Sequence, residues 1–169
     1  MVTAKVFDVD VDDALRQTLD YWRRLCGQRR MPARKDLNPA DIPRLLPKLM
    51  LAEVANPTAK TGPNSHAGNA TASALVQAPQ FRFRLVGTEV TGQFGTELTG
   101  LRLSEVDYGA QADAVAALYR RVLDCGEPQF ARIDFTLGPG LPVQMEHLLL
   151  PLSDDGSHVN MILAVLHCQ

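Results

Sequence analysis

The chain has 169 residues, 46% hydrophobic and 21% charged, with a formal net charge of -2. That length suits one domain, which at this size buries roughly 70% of the surface its unfolded chain exposes. Without a basic excess the chain has no electrostatic means of holding nucleic acid. Its longest apolar stretches, MILAVL at 161–166 and HLLLPL at 147–152, fall far short of the ~20 residues of a membrane helix.

The first residues, MVTAKVFDVDVDD, place acids where a signal peptide needs a basic start and an unbroken apolar run, so a cytoplasmic protein is expected. Cys26, Cys125 and Cys168 are odd in number and far apart, which suits neither a disulfide framework nor a CxxC metal or redox signature. They read as buried spectator thiols.

Asp12 and Asp13 are good N-cap residues, and Leu15, Leu19, Trp22, Leu25 and Cys26 recur at helical spacing before Gly27. The spacing predicts an amphipathic helix over 13–26, inside an N-terminal extension at 1–28 that precedes the main domain at 29–169. The stretch GQRRMPARK then reads as a solvated connection. Asn38 caps the next helix and Pro39 takes its first position, while Pro43 and Pro47 hold it to a turn or two. The words KLMLAEVA and QFRFRLVG follow as strands. Between them, residues 56–78 are rich in Ala, Thr, Asn, Gly and Pro and nearly lack large apolar groups, the composition of a flexible insertion in a hairpin loop. Loop-closure entropy rises only with the logarithm of length, so such growth costs little. His66 lies inside this insertion and reads as a bystander.

Helix returns over 109–125, where Ala112, Val115, Leu118, Tyr119 and Val122 form one apolar stripe ended by Gly126. Three strands close the chain at 129–137, 143–152 and 158–167, joined by the turn formers GPGLP and SDDG. The last strand is apolar on both sides, with Val159, Met161, Leu163 and Val165 on one and Ile162, Ala164 and Leu166 on the other. Both faces of the sheet are therefore covered. The helices between the second and third strands cover one face. The N-terminal helix, or its copy in a partner subunit, covers the other; homodimerisation through Leu15, Leu19 and Trp22 is the expectation.

The stretch FRFRLVGTEVTGQFGTELTG at 81–100 runs a strand into glycines, as phosphate-binding loops do. Gly92 is followed by Gln93 and Phe94 where a Walker loop needs Lys and then Ser or Thr, and Glu89 stands where the dinucleotide fingerprint needs its second glycine. Glycines at helix ends and close backbone contacts explain the spacing better. No G-x-S-x-G occurs, and Cys168 beside His167 is the lone Cys–His neighbour pair. His147 follows Glu146, but neighbours on a strand point to opposite faces and cannot act as one acid–base pair. His147 is either a satisfied histidine in a mostly apolar environment or a single polar group in a ligand pocket.

YWRRL at 21–25, DLNPADIPRLLPKLML at 36–51, the glycine-bearing stretch at 81–100 and LLLPLSDDG at 148–156 together resemble the bacterial single-domain PAS-like family. The resemblance implies an α+β fold with a five-stranded antiparallel sheet in the order 2-1-5-4-3, small helices and the longer helix over one face, and the N-terminal amphipathic helix besides. It implies a sensory or regulatory module that binds a small ligand, holds a cofactor or mediates dimer contacts. Haem-binding relatives supply a histidine from the longer helix, where YGAQADAVAALYRRVLDCG has none, and no NCRFLQ-like flavin stretch occurs; no cofactor is assigned, and an unidentified small ligand is expected.

Within the cavity that such a fold places between helices and sheet, the lining candidates are Phe83, Leu85, Phe94, Leu118, Ile133 and Phe135, with Met145 and His147 conditional on which sheet face is the inner one. A non-catalytic module for a small, mostly apolar ligand is expected, acting through a homodimer or a separate signalling protein. The alternatives are a structural interaction adaptor with a filled core and, less favoured, a small enzyme using the same cavity.

Overall fold

The computed structural model describes residues 11–55, 79–137 and 140–168. The first helix, α1, spans Asp13–Cys26, as its periodicity predicts. The Asp12 carboxylate accepts from the Ala14 N–H at 2.9 Å and closes the N-terminus, while Arg23 and Arg24 complement the dipole in the last turn. Three single-turn helices follow, at Arg34–Asp36, Pro39–Asp41 and Leu46–Lys48. The Asn38 side chain caps the second of these through the Ala40 N–H.

The sheet has five antiparallel strands: β1 (Leu49–Ala55), β2 (Gln80–Val86), β3 (Gln129–Leu137), β4 (Leu141–Leu152) and β5 (Met161–Cys168), in the order β2-β1-β5-β4-β3. β5 begins at Met161 rather than at 158, because the preceding residues are held in a turn. The Asp155 carboxylate accepts from the N–H groups of Ser157 and His158, and the Asn160 side chain accepts from the Asp154 N–H. The insertion at 56–78, with His66, lies outside the described residues.

Helix α2 (Thr88–Phe94) follows β2, and α3 (Ala112–Cys125) follows a single turn at Gly109–Gln111. Gly87 joins β2 to α2 with its N–H donated to the Leu49 carbonyl at 2.8 Å. A Cβ there would stand 2.2 Å from the Pro47 carbonyl oxygen, so this position needs glycine for a close backbone approach. Gly95, at φ 66, ends α2 in the left-handed region. The glycines thus shape a chain of short helices.

The two faces of the sheet are covered from opposite sides. Directly paired residues share a face, so the register groups Phe83, Ala52, Ile162, Ala164, His147, Leu149, Met145 and Ile133 on one side, under α3. Leu51, Leu163, Leu150, Val165 and Leu148 form the other side, which meets α1. There the Trp22 Nε1–H donates to the Pro151 carbonyl at 2.8 Å. Leu15, Leu19 and Trp22 are only 0%, 3% and 6% exposed within the single chain. The expectation of a dimer surface built from these three is corrected: the sheet's outer face is apolar and in reach of its own helix, so they are consumed inside the chain.

Candidate functional site

The inner face of the sheet brings most of the expected lining side chains together. Ile133 pairs with Met145 and Ala131 with His147 across β3 and β4. A file of rings crosses from α2 to β4. Phe94 meets Tyr108 edge-on at 5.6 Å between centroids, Tyr108 lies 6.3 Å from Phe135, and Phe135 stacks on His147 at 5.7 Å. On the β2 side, Phe81 and Phe83 pack on Tyr119 of α3 at 5.3 and 6.4 Å, and Leu118 is buried on the same helix. Phe83, Phe94, Leu118, Ile133, Phe135, Met145 and His147 therefore join one apolar core.

Leu85 does not join them. Alternation from Phe83 predicts an inward side chain, but the register slips between Leu51 and Ala52, so Phe83 pairs with Ala52 while Leu85 pairs with Leu51. The extra residue in β2 is a bulge, which reverses the faces beyond it. Leu85 turns to the outer face and stays 38% exposed.

His147 is 2% exposed, and its Nε2 has no hydrogen-bond partner. Burial lowers its pKa to about 4, so the imidazole is neutral at physiological pH. Among the described residues the other buried side-chain polar atom without a partner is Gln93 Oε1, on α2 beside Phe94. Burial also raises the phenols of Tyr108 and Tyr119 well above their usual range. A nucleophile needs a base within hydrogen-bond reach, and His147 Nε2 offers itself to none. Among the described residues no group of three or more His, Cys, Asp or Glu side chains is placed to hold a metal ion.

The neighbour of His147 serves the opposite face, as strand geometry requires. The Glu146 carboxylate is fully buried, accepting from Arg132 Nε at 2.9 Å and Nη2 at 2.8 Å on one oxygen and from the Asp12 N–H at 3.1 Å on the other. Asp12 also faces Lys48 at 3.8 Å and His167 at 3.6 Å. This charged cluster anchors the start of α1, and sequence reading missed it, since its members come from α1, β3, β4, β5 and the turn before β1. The legible signal was a lone Glu amid the apolar run of β4.

Surface clefts lie elsewhere among the described residues. One, of about 520 Å³, opens between the start of β2, the single-turn helix Leu103–Glu105 and α3. Another, of about 450 Å³, lies between α1 and residues 41–45. None of those seven core side chains lines either cleft.

A family model for the PAS domain matches residues 11–61 and 74–167, which takes in both sheet faces and the helices α1, α2 and α3. The chain belongs to the PAS domain family. The break in the match, at 62–73, falls within the insertion of this PAS domain. Among solved structures the PAS domain is similar to the crystal structure of a Rhodobacter sphaeroides LOV protein, at 13% identity and a TM-score of 0.45, over 78% of this chain and 68% of that one. None of the curated proteins compared with it matches. No helix among its described residues is long and apolar enough to cross a membrane.

Proposed function

We propose that this PAS domain is a sensory or regulatory module that takes a small, mostly apolar ligand on the inner face of its sheet and relays occupancy to a protein partner, either a second copy of the chain or a separate signalling protein. The observation that carries the reading is His147 Nε2, a buried polar atom without a partner in a wall of rings. Such an atom costs about 1–3 kcal/mol while it stays unsatisfied, and a ligand with one hydrogen-bonding group among apolar atoms recovers that cost. The wall is closely packed, so admission must displace rings. Displacement of packed rings is a means of coupling occupancy to the helices above.

A second reading, the interaction adaptor with a filled core, is favoured by that same close packing. Differential scanning fluorimetry against a metabolite library separates the two. A ligand of the native state raises the melting temperature in a concentration-dependent way, and Leu118→Trp abolishes the shift while the fold persists. If no compound shifts the melt, the adaptor reading stands.

A further inference from the structure

The cleft beside β2 has the size of a ligand site, since pockets for small molecules run from about 300 to 1,000 Å³ and this one measures about 520 Å³. Its floor is apolar: Phe81, Leu103 and Val106 are core residues that present one side to the opening. Ala112 and Ala116 of α3 form one wall, and their small side chains leave the space open. The polar groups sit on the same wall, where Asp113 and Arg120 line the cleft seven residues apart on one helical stripe. Neither has an ion-pair or hydrogen-bond partner among the described residues.

Seven residues of α-helix rise about 10 Å at 1.5 Å each. That rise separates the two backbone positions, and the two side chains put opposite charges on one wall, which complement the two free ends of a short peptide. We infer that this cleft is a binding site for short apolar peptides with free termini, the ammonium group at Asp113, the carboxylate at Arg120, and apolar side chains on Phe81, Leu103 and Val106. A ligand carrying one sign of charge alone leaves one member of the pair unanswered, and a neutral apolar molecule answers neither. The site is separate from the inner-face wall around His147 and stands whether or not that wall admits a ligand.

Isothermal titration of the full chain with the tripeptide alanyl-leucyl-alanine tests this, beside its N-acetylated and C-amidated forms. Each cap should weaken binding about tenfold, the usual worth of one charge-assisted hydrogen bond. Arg120→Gln should erase the difference between acid and amide, and Asp113→Asn the difference between free and acetylated amine. Ala112→Trp, at an exposed position, should block the cleft without lowering the melting temperature. The assignment is overturned if the wild type shows no binding at millimolar peptide, if the capped peptides bind as well as the free one, or if Ala112→Trp leaves binding intact.

Discussion

The His147 imidazole lies 29° from parallel to the Phe135 ring at 5.7 Å, which fixes its plane and leaves Nε2 facing no partner. Burial stabilises the neutral form and holds the folded pKa at about 4, against 6.5 for the free side chain. Above 6.5 both folded and unfolded states are neutral at this site; as pH falls from there towards 4 the unfolded chain takes up a proton that the native state refuses. Stability is therefore lost across that window, by roughly 3 kcal/mol in all. Urea denaturation of wild type and His147→Leu between these limits should show the gap shifting steadily in favour of the variant as acid is added. Parallel pH profiles would refute it.

The Glu146–Arg132 pair should behave as a buried ion pair. Arg132→Met strips the wholly buried carboxylate of its counter-charge, at a cost of about 3–5 kcal/mol, whereas Arg132→Met with Glu146→Met recovers much of the loss. Equilibrium unfolding of the singles and the double gives the coupling. Additive effects would show that the pair contributes no more than its parts.

Gly87 and Gly92 should respond in opposite directions to alanine. Gly87→Ala drives a Cβ against two backbone oxygens, at 2.2 Å from Pro47 and 2.4 Å from Leu46, and neither can swing aside. A loss of about 3 kcal/mol follows. Gly92, within α2, has nothing within 4 Å of an added Cβ, so Gly92→Ala should gain roughly 0.5–1 kcal/mol from helix propensity. Thermal melts of the two variants check both signs at once.

Leu19→Asp should lower stability sharply without altering particle mass, because Leu19 packs beneath the chain's own sheet. Trp22→Phe keeps most of the packing but removes the hydrogen bond to Pro151, for a loss of about 1–2 kcal/mol. Light scattering and denaturation together read both quantities. A fall in mass with Leu19→Asp would return the helix to the role of a dimer surface.

Much of this protein is written in local periodicity. The stripe Leu15, Leu19, Trp22 and its Asp12 cap define α1 to the residue, and the doubly apolar β5 announces a sheet covered on both sides, since these signals depend on neighbours a few positions away. The strand order, carried by resemblance, is also the order observed. Pairing decided the rest. The bulge that turns Leu85 outward exists only where Leu51 and Ala52 meet β2, and the Asp12, Lys48, Arg132, Glu146 and His167 cluster needs five segments brought to one point. Whether α1 would cover its own sheet or a partner's is likewise a question of distance, which a periodic stripe does not encode. His147 shows the division most clearly: alternation separates it from Glu146, but only the packed rings around it strip Nε2 of every partner.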